Sequence, residues 1–131
     1  MKRTQTLLVS ALLMAGLMVC SGSGKPSNGS VSTIGVEEFA KVIKQKDVRL
    51  IDVRTPKEYA DGHLQGAENI DVNGSGFAEK IKGIDGKVAV YCRSGKRSLN
   101  AANKLAAQGC TVYDLKGGIM AWKKAGQPTT K

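Results

Sequence analysis

Lys87-Val88-Ala89-Val90-Tyr91-Cys92-Arg93-Ser94-Gly95-Lys96-Arg97-Ser98 opens as a nearly continuous apolar run, then delivers a cysteine, a glycine and three cations. An unbroken apolar run is what a parallel strand needs when helices cover both of its faces. Gly95 permits a tight turn. From Ser98 to Gln108 the pattern becomes helical, with Ala101, Ala102, Leu105 and Ala106 as one stripe and Gly109 as its stop. A buried strand that turns through glycine into a helix is the repeating unit of an α/β sheet. Ligands of such sheets bind beyond the carboxyl ends of the strands.

The flanking sequence repeats the alternation. Val31 to Ile34 reads as a short strand, and Val36, Phe39, Ala40 and Ile43 lie on one face of a following helix. Glu37 and Glu38 in its first turn suit the positive end of the dipole. Val48 to Val53 is a second strand, and Thr55-Pro56-Lys57-Glu58 has the form of a capping box with proline at the first helical position. Asp61-Gly62 ends that helix. Ala67 to Val72 is a further strand candidate, Phe77 to Ile81 a short helix, Thr111 to Leu115 the last strand and Ile119 to Lys124 the closing helix. Strands alternating with helices predict an α/β three-layer domain with a mainly parallel central sheet.

The chain has 131 residues, of which 41% are hydrophobic, 24% charged and 5% aromatic. That is one ordinary globular domain with a core of aliphatic side chains. Twenty Lys and Arg against 11 Asp and Glu leave a net charge of +9. The cations are scattered and no aromatic residues interleave with them, so the excess predicts a surface that draws small anions, not a nucleic-acid groove. Lys2-Arg3 followed by the apolar Leu7 to Val19 is too short for a comfortable membrane span and fits an export signal over residues 1–20. Residues 21–30 are a Gly/Ser/Pro/Asn tether, and residues 31–128 form the domain. Cys20, in Leu17-Met18-Val19-Cys20, resembles the lipid-modified cysteine of bacterial lipoproteins, although Val19 stands where a small residue is usual. A plain signal-peptidase cut near Ser21 is the alternative. Either reading places the domain outside the cytoplasm, periplasmic or anchored through Cys20, with no other membrane contact expected.

The chemistry gathers in the loop after Tyr91. Its backbone N–H groups and the dipole of the next helix would form an anion site. Arg93, Lys96 and Arg97, with that dipole, would favour the thiolate of Cys92, the nucleophilic form of sulfur. The same charges would attract an anionic substrate. An inert buried cysteine is the ordinary alternative, and three cations within five residues argue against it.

Ile51-Asp52-Val53-Arg54-Thr55-Pro56-Lys57-Glu58-Tyr59 with Gly62-His63-Leu64-Gln65-Gly66-Ala67-Glu68-Asn69-Ile70 resembles the amino-terminal signature of rhodanese domains. Tyr91 to Ser98 resembles their active-site loop, and Leu115-Lys116-Gly117-Gly118-Ile119-Met120-Ala121-Trp122 their carboxyl-terminal signature. The likeness spans Val31 to Pro128 and is greatest to small secreted single-domain members. It implies a three-layer rhodanese-like fold and sulfur transfer: Cys92 takes the outer sulfur of thiosulfate or of a persulfide, carries it as its own persulfide, and passes it to a thiol or to cyanide. No cofactor beyond that covalent intermediate is implied. The acceptor would be a thioredoxin-like protein, glutathione or another thiol. Cys92 is the expected catalytic residue, with Arg93, Ser94, Gly95, Lys96 and Arg97 around the substrate. Arg93 and Arg97 are favoured for the anion because a guanidinium presents a fork where lysine presents a point charge.

Phosphatases and arsenate reductases of related architecture place five residues between cysteine and arginine, whereas Cys92 and Arg97 enclose four. That smaller ring favours sulfur over phosphate. His63, the only histidine, is expected to hold the Gly-His-Leu turn, Trp122 to lie in the core, and Asp52 to anchor backbone or a loop cation. Arg54 is expected on the rim or paired with Glu58. Cys110 reads as a small buried hydrophobe. The alternative, a resolving thiol for Cys92, would make the protein a redox device, and a non-catalytic binding module is the third reading. One histidine and separated cysteines leave no metal site.

Overall fold

The computed structural model describes residues 29–131. The expected export signal, Cys20 and all but the last two positions of the expected tether lie outside the described residues. Five strands form one sheet: β1 (Ser30–Ile34), β2 (Val48–Asp52), β3 (Glu68–Asn69), β4 (Lys87–Tyr91) and β5 (Thr111–Leu115). Their order across the sheet is β1-β5-β4-β2-β3, and every pairing is parallel. The helices between them are α1 (Val36–Val42), α2 (Pro56–Asp61), α3 (Phe77–Ile81), α4 (Lys96–Ala107) and α5 (Gly118–Lys124).

β4 is central and buried on both faces, as its apolar run requires. Val88 and Val90 point to one side, where Phe77 and Ile81 of α3 and Ala101, Ala102 and Leu105 of α4 close the core. Ala89 and Tyr91 point to the other, against Phe39 of α1, Trp122 of α5 and Leu64. Phe39 and Trp122 meet edge to face with ring centroids 6.2 Å apart. The Trp122 indole N–H donates to the Pro128 carbonyl at 2.8 Å, so this tryptophan is core with its one polar atom satisfied.

The capping box of α2 forms as expected. Thr55 Oγ1 accepts from the Glu58 N–H at 3.2 Å, and Glu58 Oε1 accepts from the Thr55 N–H at 3.1 Å. Two expected elements differ. The strand expected over residues 67–72 shortens to Glu68–Asn69. Ile70 and Val72 still donate to the Asp52 and Val53 carbonyls, but Asp71 turns the chain away by accepting from the N–H groups of Asn73 and Gly74. α4 starts at Lys96, two residues early, because the left-handed Gly95 (φ 114°) completes the turn there.

The register brings the site together. Asp52 pairs with Tyr91, and Val90 with Asp114, so the residues after β2, β4 and β5 emerge at one carboxyl edge.

Candidate active site

Cys92 is the first residue beyond β4 and is 1% exposed. Its Sγ accepts from the Gly95 N–H at 3.0 Å, so the loop folds back over its own sulfur. Arg93, Ser94 and Lys96 are exposed, Gly95 and Arg97 are half-buried, and all five expected substrate residues share this loop or the first turn of α4.

The loop is held from behind by α5. The Ile119 N–H donates to the Cys92 carbonyl at 2.9 Å and the Met120 N–H to the Arg93 carbonyl at 3.2 Å. Helix-start donors that would otherwise be orphaned thus fix the loop carbonyls. Gly118 makes this approach possible. A Cβ there would stand 2.3 Å from the Arg93 oxygen, and its φ of +62° is left-handed. With those carbonyls facing α5, no described residue accepts from the N–H groups of Ser94, Lys96 or Arg97. The first turn of α4 carries Lys96 and Arg97 and no acidic residue, although a helix start disfavours cations. That combination suits an anion.

Arg97 is already engaged. Its Nη1 and Nη2 donate to Glu58 Oε1 and Oε2 at 2.8 and 3.0 Å, which ties the loop to α2. The Arg97 fork holds the Glu58 carboxyl down at about 2 against the opposing effect of partial burial, and Thr55 adds to the lowering. The free cations of the loop are therefore Arg93 and Lys96, neither of which forms an ion pair among the described residues.

Glu58 being taken, Arg54 is neither on the rim nor its partner. Arg54 is 5% exposed and clamps the fully buried Asp52, with Nη2 2.6 Å from Oδ2 and Nε 2.9 Å from Oδ1. Asp52 also accepts from the Arg54 backbone N–H, which fulfils its expected anchoring role. Tyr91 donates to Asp52 at 2.7 Å. Burial and then the Asp52 charge push its hydroxyl far up, so it remains a donor. Arg54 reaches on to the Gly62 carbonyl, linking this cluster to the His63 turn. His63 stacks on Tyr59, with Nδ1 2.9 Å from the Tyr59 carbonyl, and its backbone pairs with Thr130. It serves the turn.

Cys110 is fully buried and its Sγ donates to the Ile84 carbonyl at 3.4 Å. Burial, aided by Asp85, pushes this thiol up, which suits an inert group. Both Cys92 and Cys110 are free thiols.

A further cluster under the loop escaped the sequence reading. Asp114, 2% exposed, accepts from Ser98 Oγ at 2.5 Å and from Thr33 Oγ1 at 3.1 Å. The signal was available: period-two alternation in β5 puts Asp114 on the inward face it shares with Val112.

Residues 35–125 match the family described as the Rhodanese-like domain. A thiosulfate sulfurtransferase of Arabidopsis thaliana chloroplasts is 38% identical over 94 residues, covering 62% of this chain and 78% of that protein. The thiosulfate sulfurtransferase GlpE of Shewanella oneidensis is 33% identical over 99 residues, 73% of this chain and 96% of its own. Among solved structures, a rhodanese-related protein of Thermoplasma volcanium superposes with a TM-score of 0.67 at 32% identity, covering 76% of this chain and 97% of that one. With its parallel sheet, its cysteine loop at the carboxyl edge and these likenesses, the chain belongs to the rhodanese-like domain family, a family of sulfurtransferases.

Proposed function

We propose that the protein moves sulfane sulfur from thiosulfate or a persulfide donor to a thiol, or to cyanide in vitro, through a Cys92 persulfide. The observation that carries this reading is Cys92 Sγ at the base of a loop whose Gly95 N–H donates to it at 3.0 Å, beneath N–H groups that no described residue uses. In the first step the Cys92 thiolate attacks the outer sulfur of thiosulfate. A new S–S bond forms, the old one breaks, and sulfite leaves with the bonding electron pair. In the second step an acceptor thiolate attacks the terminal sulfur, and Cys92 leaves as thiolate. Two displacements on sulfur replace one direct transfer between anions that repel each other.

The loop N–H groups hold the donor and stabilise charge as it gathers on sulfite. Arg93 and Lys96 draw the anion to the mouth. Arg97 contributes chiefly by fixing the loop to Glu58. No step requires a general base, in keeping with His63 lying in its turn. The acceptor is proposed to be an extracytoplasmic thiol, small or thioredoxin-like, following the export reading of residues 1–20.

The test is steady-state transfer from thiosulfate to cyanide. Cys92→Ser abolishes turnover and Cys110→Ser retains it, because the serine hydroxyl can still donate to Ile84. Loss of turnover in both folded variants would instead indicate a two-cysteine redox protein.

A further inference from the structure

Asp114 lies beneath the active-site loop and forms no ion pair among the described residues. Thr33 of β1 and Ser98 of α4 face it with hydroxyls, and its register neighbour on β4 is Val90. The opposite face of β5 packs on α1 through Leu115 and Tyr113. Of the titratable residues on those elements, Tyr91 of β4 and Tyr113 of β5 lie in the cluster on the other face of the sheet, and Arg97 of α4 is paired with Glu58.

Proton counting at Ser98 separates two states of this network. Its oxygen stands 2.5 Å from Asp114 Oδ1 and 3.2 Å from the Gly95 carbonyl, yet a serine has one proton to donate. If Asp114 is ionised it must receive that proton, and the Gly95 carbonyl keeps only the Leu99 N–H at 3.3 Å. If Asp114 is protonated, Oδ1–H donates to Ser98 Oγ, Ser98 donates to the Gly95 carbonyl, and Thr33 donates to Oδ2. Donors are satisfied in both states, and what differs is whether the Gly95 carbonyl receives the Ser98 proton. Gly95 is the residue whose N–H reaches Cys92 Sγ, so its carbonyl anchors the peptide that meets the sulfur.

We propose that Asp114 is a positioning residue for the Cys92 loop, acting in its protonated form through Ser98 on the Gly95 carbonyl. The proposal rests on the sulfurtransferase reading, and its consequence is a loop that is held more firmly when Asp114 carries the proton. Burial raises the Asp114 carboxyl, opposed by its two hydroxyl partners.

The experiment measures the rate constant for sulfur loading of Cys92 at saturating thiosulfate across pH, with Cys92 alkylation by iodoacetamide in parallel. Asp114→Asn keeps a donor toward Ser98 and an acceptor toward Thr33 but cannot ionise. Because both proteins carry the same Cys92, the ratio of wild type to Asp114→Asn isolates the effect. The expected ratio is near one at low pH and falls about two- to tenfold as Asp114 ionises, the range for one hydrogen bond. Ser98→Ala should show the lower rate throughout, and Ser98→Thr, which keeps the hydroxyl, should restore the step. A ratio that stays flat across pH, or a Ser98→Ala rate equal to wild type at low pH, would overturn the proposal. If Asp114→Asn does not fold, the ratio of wild type to Ser98→Ala across pH decides: it should stand above one at low pH and fall to one as Asp114 ionises, and a flat ratio overturns the proposal. If thiosulfate loads no sulfur even on wild type, the functional reading fails, and the alkylation arm still reports on Asp114.

Discussion

Gly118→Ala tests how the sheet edge and α5 hold the catalytic loop. The added Cβ would lie 2.3 Å from the Arg93 oxygen and 2.5 Å from the Cys92 oxygen. Both are backbone atoms, so no side chain can rotate away. The left-handed conformation costs about 1–2 kcal/mol for a residue with a Cβ. Relieving the overlap means lifting α5 from the loop, which breaks the Ile119-to-Cys92 and Met120-to-Arg93 hydrogen bonds. At about 0.5–1.5 kcal/mol each, these bring the loss to about 2–5 kcal/mol. A domain of this size has about 5–15 kcal/mol in all. Gly126→Ala is the control: φ is +80° there and a Cβ meets nothing within 4 Å, so only the left-handed cost of about 1–2 kcal/mol applies. Urea unfolding of both variants, followed by circular dichroism, reads the difference directly. Sulfur loading of Cys92 should also slow in Gly118→Ala and stay normal in Gly126→Ala. Equal destabilisation of the two variants, with equal activity, would refute the packing argument.

Other consequences concern charge. Asp52→Ala leaves the Arg54 guanidinium buried without its counter-ion and removes the acceptor of Tyr91. The expected loss in urea unfolding is about 3–5 kcal/mol, and Asp52→Asn, still an acceptor, should lose less. The Glu58 carboxyl falls from 4.5 to about 2 on folding. A lowered carboxyl stabilises above its unfolded value and ceases to do so as pH drops through the folded one. Thermal melts should therefore show wild type more stable than Glu58→Gln above pH 5, by about 1 kcal/mol or less for so accessible a pair. That margin should vanish towards pH 2, and a margin that survives there would contradict the ion pair's role.

The apolar run of β4, the capping box of α2 and the glycine turn into α4 were legible in the sequence because each is a local pattern. So was the cluster of cations around Cys92. What those cations bind was not legible, since ion pairing depends on distance in space. Thr55-x-x-Glu58 announces a cap, and nothing in it says that the same carboxylate reaches Arg97 across 39 positions. Arg54 likewise turned to Asp52, two residues away, while Arg97 took Glu58, and neither partnership can be read from the local sequence. Asp114 and Ser98 belong to different elements and meet only when β5 and α4 pack.

The central claim is a sulfur atom carried on Cys92. Intact mass of the purified, reduced protein before and after thiosulfate measures it directly. The account predicts a gain of about 32 Da, one sulfur, that cyanide removes and that Cys92→Ser never shows. A folded protein with reduced Cys92 that gains no mass from thiosulfate, or a gain that persists in Cys92→Ser, would contradict it.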